Sequence, residues 1–217
     1  MVVFQAGHTV IKGVGLSKRE RLNTIAAEIT ACLKCGLSKT RKNAVTGEGN
    51  PESQIMFIGE APGYWEDVKG KPFVGVAGKF LDTLLSEIDL SRSDVFIGNV
   101  LKCRPPRNRA PTPNEIQTCT PYLDRQMKTI QPKVIVTLGN HSTAYIFSKA
   151  GLPFNSITQA HGKFSEASIL GMHVTIFPTF HPAAALYSAK YKEQITNDFK
   201  LLKQELEKRG IISHSAS

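Results

Sequence analysis

The fold is decided by residues 54–63, which read QIMFIGEAPG. The apolar run at 55–58, closed by a glycine, is typical of a buried β-strand. Glycine and proline at 59–63 cannot continue that strand, so the chain turns there. Glu60 therefore lies at the carboxyl end of a strand, which is where open α/β sheets bind their ligands. A solvated loop carboxylate is the alternative interpretation of Glu60.

The composition indicates a globular protein with a polyanionic partner. The chain has 217 residues, 41% of them hydrophobic, and a net charge of +9 from 27 Lys and Arg against 18 Asp and Glu. Such an excess of positive charge favours nucleic acid as the partner, although general solubility is an alternative reason for it. No apolar run approaches the length of a membrane span, and the N-terminus lacks a signal-peptide pattern. We therefore expect a cytoplasmic, nucleoid-associated protein with no membrane partner.

The rest of the chain alternates between strand and helix patterns. Further apolar runs predict strands at 95–100, 133–138 and 173–179. The helical spacing of apolar residues predicts five helices, at 17–35, 80–88, 112–129, 141–149 and 195–209. Residues 150–172 fit either a hairpin or a loop. The alternation predicts βαβ units, hence an α/β fold with a mainly parallel sheet between helix layers. We expect one domain over 1–217, with an irregular arm at 1–15.

Three polar side chains follow three of the predicted strands directly. Glu60 follows the first strand, Asn99 ends the second, and His181 follows the last. Because parallel strands bring their carboxyl ends to one edge of a sheet, we expect these side chains to converge. The alternative is that any α/β chain has polar residues in such loops.

A basic, proline-rich loop follows the second strand. Residues 102–113 contain four prolines, which make the loop stiff. Its cations are Lys102, Arg104, Arg107 and Arg109. Rigidly held cations beside a cleft suit a phosphate backbone, whereas a solvated charge run would not need the prolines.

Phe73 lies in the glycine-rich loop at 70–78. An exposed ring there would be a stacking platform for a nucleobase. A buried ring would instead be a plug beneath the loop.

The chain has four cysteines, which are Cys32, Cys35, Cys103 and Cys119. Four thiolates suit a tetrahedral zinc ion or an iron–sulfur cluster. The uneven spacing of the second pair is less typical of zinc, and two disulfides or four free thiols are the alternative. Either kind of metal site would clamp the N-terminal helix to the proline-rich loop.

With these residues assembled, the sequence resembles the family 4 uracil-DNA glycosylases, which contain an iron–sulfur cluster. The resemblance covers residues 32–187 and rests on GEAPG at 59–63, GKPFVGVAGK at 70–79, GNVLKCRPPRNRAPTPNE at 98–115 and HPA at 181–183. It implies a three-layer α/β/α fold with a four-stranded parallel sheet, and a [4Fe–4S] cluster on the four cysteines. It also implies a monofunctional enzyme that releases uracil from single- and double-stranded DNA and so starts base-excision repair.

The resemblance also implies roles for individual residues. Glu60 would position or activate water, and His181 would donate to the base carbonyl. Asn99 would read the uracil edge, with Asn108 as a second catalytic asparagine. The remaining substrate contacts would come from Phe73, which stacks on uracil, from Glu66, which excludes the thymine methyl, and from Gly59, Ala61 and Gly63.

The sequence departs from many relatives at the position where an Arg would enter the duplex. Tyr187 stands there, so Leu186 or Tyr187 would fill the gap, or would merely pack. Residues 1–15 have no counterpart; a sliding clamp is the partner we consider for them, although they carry no clean clamp-binding pattern. We expect a monomer acting on uracil-containing DNA. The rival interpretations are a non-catalytic DNA-binding protein with a structural metal, an electron-transfer protein, and a related glycosylase with a wider base range.

Overall fold

The structure is a computed structural model that describes residues 15–213. The expectations for an arm at 1–15 and for its clamp partner fall outside these residues, apart from Gly15. The strands are β1 (Glu48–Gly49), β2 (Ile55–Gly59), β3 (Phe96–Asn99), β4 (Val134–Leu138), β5 (Ser165–Ile169) and β6 (Met172–Thr179). The helices are α1 (Lys18–Ala31), α2 (Tyr64–Lys69), α3 (Val76–Glu87), α4 (Pro113–Ile130), α5 (Asn140–Ala150), α6 (Ile157–Ala160) and α7 (Ala189–Lys208).

These strands form one six-stranded sheet in the order β1-β3-β2-β4-β6-β5. The four central strands are parallel and are the ones that the apolar runs predict, whereas β1 and β5 are antiparallel edge strands. The expected four-stranded sheet is therefore the centre of a wider, mixed sheet. The edge strands carry no apolar run: β1 has two residues and β5 alternates between buried and exposed side chains. Residues 150–172 contribute α6 and the first strand of a hairpin.

Helices cover both faces of the sheet, which confirms the three-layer α/β/α class. Side chains along β2 alternate between the two cores: Met56 and Ile58 pack with α1, α4 and α5 on one face. Ile55 and Phe57 pack with α3 and α7 on the other, where the ring of Phe57 stacks on that of Phe199 at 6.0 Å. Because both faces are buried, the central strands are mostly apolar, and β2 is buried along its whole length.

Helix α1 begins as the sequence predicts but ends earlier. Ser17 Oγ accepts from the backbone N–H of Glu20 at 3.2 Å, and the Glu20 carboxylate accepts from the N–H of Ser17 at 2.8 Å. This capping box fixes the first turn. The prediction that the helix continues to residue 35 is wrong, since Cys32 is extended and Leu33 is 79% exposed. The chain turns there to bring its first cysteine pair toward the second.

The connections place a crevice at the carboxyl end of β2. The chain passes from β2 through α3 to β3 on one side, and then through α4 to β4 on the other side of β2. Such a reversal of strand order opens a ligand crevice outside the carboxyl ends of the strands. Both ends of the described chain lie at the opposite edge, where Lys18 Nζ donates to the carbonyl of Ile130 at 2.8 Å and Ser213 lies beside Gln54. Over residues 15–213, no helix has the length and apolarity needed to span a membrane.

Candidate active site

A cavity of about 330 Å³ opens at the carboxyl edge of the parallel strands. Eight of the nine residues predicted to bind or act on a base line it: Glu60, Ala61, Gly63, Glu66, Phe73, Asn99, Asn108 and His181. The ninth, Gly59, is paired with Asn99 in the parallel register of β2 and β3. The other lining residues are Arg109, which was predicted as a DNA contact, and four that were not predicted: Pro62, Ala77, Pro105 and Ala183. The predicted convergence of an acid, an amide and an imidazole is therefore present in the fold.

Glu60 is held where β2 ends. Its backbone carbonyl accepts from the N–H of Leu101 at 2.9 Å, which extends the pairing of β2 with β3 beyond Gly59. Burial raises the pKa of the Glu60 carboxyl, and the charge of the nearby His141 opposes that rise. The two side chains approach to 4.0 Å between Oε2 and Nε2.

His141 was missed by the sequence analysis. It lies in the first turn of α5, directly after β4, so it reaches the same edge as Glu60. The signal was available, because the rule that found Glu60, Asn99 and His181 applies equally to the polar residues that follow β4.

The imidazole of His181 is held as a neutral hydrogen-bond donor. Its Nδ1 accepts from the backbone N–H of Ala183 at 3.1 Å, so the neutral ring carries its proton on Nε2. Burial lowers the pKa of His181 to about 4, against the opposing charge of Glu66. Its ring stacks on Phe73 with centroids 5.6 Å apart and planes 26° from parallel. The geometry thus fixes both the tautomer and the plane of the ring.

Phe73 combines features of both interpretations offered by the sequence. Its side chain is buried, yet the ring lines the cavity beside His181. Its backbone has a positive φ of 51°, which a non-glycine residue adopts only when its surroundings impose it. Two contacts hold this conformation. Arg92 donates to the carbonyl oxygens of Phe73 and Pro72, and Gly78 lies so close that any Cβ there would overlap the Phe73 carbonyl.

The side chain of Asn99 is presented to the cavity from the end of β3. Gly59 makes room for it, since a Cβ there would overlap Asn99 Oδ1 and come within 2.6 Å of Phe73 Cζ. Within residues 15–213 the Asn99 amide donates no side-chain hydrogen bond and accepts none. Its donor and acceptor groups are therefore open to a ligand.

Glu66 braces the glycine-rich loop from within the cavity. Its Oε1 accepts from the backbone N–H groups of Val74 at 2.8 Å and Gly75 at 2.9 Å. The carboxylate is therefore fixed at the wall rather than free to move toward solvent.

The four cations of the proline-rich loop have different environments. Lys102 is 1% exposed, and its Nζ donates to the carbonyl of Asn99 at 2.8 Å and to Gln126 Oε1 at 2.7 Å. Burial lowers its pKa to about 8. The prediction that Lys102 contacts DNA is wrong, because its ammonium group supports the floor of the cavity from inside.

The three arginines lie nearer the surface. Arg109 forms a bidentate ion pair with Glu115, at 2.6 and 2.8 Å, which lowers the pKa of Glu115 to about 2. Arg104 donates from Nε to Asn108 Oδ1 at 2.7 Å. Arg107 is exposed and forms no ion pair with any residue from 15 to 213. Arg104 and Arg107 are therefore the loop cations best placed for phosphate.

The two residues considered as a wedge follow His181 closely. Leu186 ends a 3₁₀ turn, Pro182–Leu186, and is 46% exposed; Tyr187 comes next and is 88% exposed. Both side chains are thus on the surface of the same segment that carries His181.

The four cysteines line a second cavity, between the end of α1 and the start of α4. None of them forms a disulfide. Arg41 Nη1 donates to Cys103 Sγ at 3.0 Å, and the backbone N–H of Lys102 donates to Cys119 Sγ at 3.3 Å. Burial raises the pKa of the Cys103 thiol, and raises that of Cys119 to about 11. In the described part of the chain, no group of three or more His, Cys, Asp or Glu side chains is arranged to hold a metal ion.

Comparisons with known proteins agree with this geometry. Residues 46–203 match the family model described as the uracil DNA glycosylase superfamily. The chain is 52% identical over 193 residues to the type-4 uracil-DNA glycosylase of Saccharolobus solfataricus, covering 88% of this chain and 89% of that protein. It is 52% identical over 186 residues to that of Sulfurisphaera tokodaii (85% and 84% covered) and 49% identical over 181 residues to that of Archaeoglobus fulgidus (83% and 91% covered). The chain therefore belongs to the type-4 uracil-DNA glycosylases of the uracil-DNA glycosylase superfamily.

Proposed function

We propose that this protein is a monofunctional uracil-DNA glycosylase. It hydrolyses the N-glycosidic bond of deoxyuridine in single- and double-stranded DNA, releases uracil and leaves an abasic site, and so begins base-excision repair. The observation that carries this proposal is the meeting of Glu60, Asn99 and His181 on one cavity in a member of this family. A glycosylase reaches its target by extruding the nucleotide from the base stack, and the cavity has the volume to receive a base.

His181 is suited to stabilise the leaving base. Breaking the bond between C1′ and N1 puts negative charge on uracil O2, and a donor aimed at that atom lowers the barrier. A neutral imidazole with its proton on Nε2 supplies such a donor without having to lose a proton first. The stacking of Phe73 on His181 supports a position in which uracil lies against the Phe73 ring with O2 toward Nε2.

Asn99 is suited to select uracil. A side-chain amide both donates and accepts, so it can pair with O4 and N3–H of uracil. Cytosine presents the opposite pattern there and would leave buried polar groups unpaired, which is how such a site rejects the wrong base. Glu66 would exclude the 5-methyl group of thymine, and its hydrogen bonds to the glycine-rich loop support this role by fixing it in the wall.

Glu60 supplies the carboxylate for the water. An ionised carboxylate beside the sugar both orients water and favours the oxocarbenium-like transition state. Asn108 assists from the proline-rich loop, where its side chain is oriented by Arg104. No lysine lines the cavity among residues 15–213, which supports hydrolysis without a Schiff-base lyase step.

Cys32, Cys35, Cys103 and Cys119 are proposed to hold a [4Fe–4S] cluster. Four unoxidised thiols around one cavity are the donor set that such a cluster takes. A cluster binds each thiolate through a different iron, so its ligands need not converge on one point as those of zinc do. When bound, it would join α1 to the proline-rich loop and give that loop a fixed path. Purified protein is expected to be brown and to contain about four irons per chain; stoichiometric zinc without iron would contradict this assignment.

The partner is uracil-containing DNA, engaged through Arg104, Arg107 and the surface at Leu186 and Tyr187. We propose that it works as a single-domain monomer in the cytoplasm, associated with the nucleoid. A sliding clamp remains the partner proposed for residues 1–15.

The decisive experiment measures release of free uracil from a labelled oligonucleotide. A panel of bases that includes thymine and hypoxanthine mismatches separates this enzyme from relatives with a wider range. A non-catalytic DNA-binding protein or an electron-transfer protein would release nothing. His181→Ala should lower the single-turnover rate about 100- to 1,000-fold while DNA affinity changes little. Glu60→Gln and Asn99→Ala should behave alike, and wild-type rates in all three variants would refute the site.

A further inference from the structure

Two exposed aromatic side chains lie beside the cavity and take no part in the chemistry described above. Tyr64 and Trp65 form the first turn of α2 and are 47% and 52% exposed. Their rings meet edge to face, with centroids 5.1 Å apart and planes at 80°. The residues on either side of this pair, Gly63 and Glu66, both line the cavity. The pair therefore sits at the rim of the site.

The indole of Trp65 rests on the glycine-rich loop. A Cβ added at Gly75 would lie 3.5 Å from Trp65 Cδ1 and 3.4 Å from Glu66 Oε1, so the loop backbone approaches both side chains closely. The same loop is tied down by the Glu66 carboxylate. One side of the indole is thus supported by rigid backbone, while half of its surface is open to solvent.

Positive charge surrounds the pair. The guanidinium carbon of Arg104 lies 5.2 Å from the centroid of the Tyr64 ring, and Lys42 Nζ lies 5.8 Å from it. Arg104 also bonds to Asn108, which lines the cavity, so this cation links the aromatic pair to the site. The nearby Asp67 is buried and accepts from the backbone N–H of Lys42 at 2.8 Å, so its carboxylate does not face outward.

We propose that Tyr64 and Trp65 form a subsite for the nucleotide next to uridine in single-stranded DNA, with the neighbouring base stacked on the indole of Trp65. Exposed aromatic faces flanked by cations are the elements from which single-strand binding surfaces are built, because every base has a face to stack and every nucleotide a phosphate. A base in a duplex stays stacked on its own neighbours, so this subsite favours single strands. The inference rests on the proposed function and adds a binding subsite to it.

Trp65→Ala provides the first test, with Trp65→Phe as the conservative variant. On a single-stranded uracil oligonucleotide, Trp65→Ala should raise KM about tenfold and change kcat by less than about twofold, whereas Trp65→Phe should stay near wild type. Leu16→Ala is the matched control, since Leu16 is 59% exposed and belongs to the opposite edge of the molecule. Replacing one base beside the uracil with an abasic linker should raise the KM of the wild type by the same factor. It should not raise the KM of Trp65→Ala any further. The proposal would be overturned if Trp65→Ala left KM unchanged. It would also be overturned if the linker raised the KM of Trp65→Ala further at both the 5′ and the 3′ position.

Trp65 also reports on binding directly, because it is the only tryptophan in the chain. Titration of the holoenzyme with uracil-free single-stranded DNA should quench its emission, and Phe73→Ala should leave that quenching intact. A wild-type enzyme that releases uracil without any quenching would refute the subsite alone; a protein that releases no uracil would refute the proposed function. If Trp65→Ala instead converted a dimer to a monomer with KM unchanged, the surface would be an interface between copies.

Discussion

Lys102 joins the cysteine cavity to the candidate active site. Its backbone N–H donates to Cys119 Sγ, and its ammonium group donates to the carbonyl of Asn99 and to Gln126. Sequence reasoning grouped it with the surface arginines, because a proline-rich loop has no periodicity from which to tell an inward residue from an outward one. In a predicted helix or strand, that distinction would have been available from the spacing.

Lys102→Met tests this structural role. The variant keeps most of the side-chain volume but leaves the Asn99 carbonyl and Gln126 Oε1 without their donor, each at a cost of about 1–3 kcal/mol. We expect a lower free energy of unfolding and slower uracil release, with no change in the salt dependence of DNA binding. Urea denaturation together with a salt titration checks both parts. If Lys102→Met kept wild-type stability but reduced the salt dependence of DNA binding, Lys102 would instead contact DNA.

The pH dependence of the reaction follows from the environments of the Glu60 carboxylate and the His181 imidazole. Burial raises the pKa of Glu60, so the ionised form is lost as pH falls through a value above that of an ordinary glutamate. His181, with its pKa lowered to about 4, stays neutral over that range. Single-turnover rates should therefore fall on the acid side because of Glu60. Replacing His141 with Gln removes the charge that opposes the rise, so the acid limb should move to higher pH; an unmoved limb would contradict the pairing.

At the scale of elements, the parallel core was predictable and the edges were not. The central strands β2, β3, β4 and β6 are buried on both faces, and burial of that kind leaves a continuous apolar run in the sequence. Strand β1 has two residues, and its pairing with β3 is decided by tertiary contacts alone. The early end of α1 has a similar origin, since Leu33 matches the helical spacing yet lies beyond the point where the chain turns.

The glycine-rich loop depends on Arg92, which lies in the turn between α3 and β3. Arg92 donates to the carbonyl of Pro72 at 2.9 Å, and forms ion pairs with Glu48 on β1 at 2.8 Å and with Asp82 on α3 at 2.6 Å. It also bonds to the carbonyl of Phe73 and so holds that residue in its positive-φ conformation. One side chain thereby ties an edge strand, a helix and the glycine-rich loop together.

Arg92→Ala should release this loop. We expect a loss of about 1–3 kcal/mol of stability, because at least two carbonyls lose a half-buried donor. The expected catalytic effect is a raised KM and weaker discrimination between uracil and cytosine, since Phe73 and the adjoining wall are no longer held. Arg125→Ala is a suitable control: Arg125 pairs with Glu28 at 2.7 Å, far from the cavity, and should affect activity little. Equal changes in KM and in base discrimination in Arg92→Ala and Arg125→Ala would contradict a specific role for Arg92.

For the whole molecule, the net charge of +9 favours DNA binding, but we expect individual arginines to contribute unequally. Arg107 is exposed without an ion pair in the described chain, whereas Arg109 is already neutralised by Glu115. Each phosphate contact contributes about 0.7–0.9 to the slope of log affinity against log salt. Arg107→Ala should therefore reduce the slope by about that amount, and Arg109→Ala by much less. Fluorescence anisotropy with a labelled oligonucleotide measures both, and equal slopes would show that the Glu115 pair opens on binding.

The two ends of the described chain lie at the edge of the sheet away from the cavity, as the contacts of Lys18 and Ser213 indicate. An enzyme anchored to a bead or electrode through either end should consequently keep its working side turned toward the liquid. Immobilised preparations for removing uracil from amplification mixtures are therefore best coupled near Lys18 or Ser213, whereas random coupling through surface amines would obstruct the entrance in a share of the molecules.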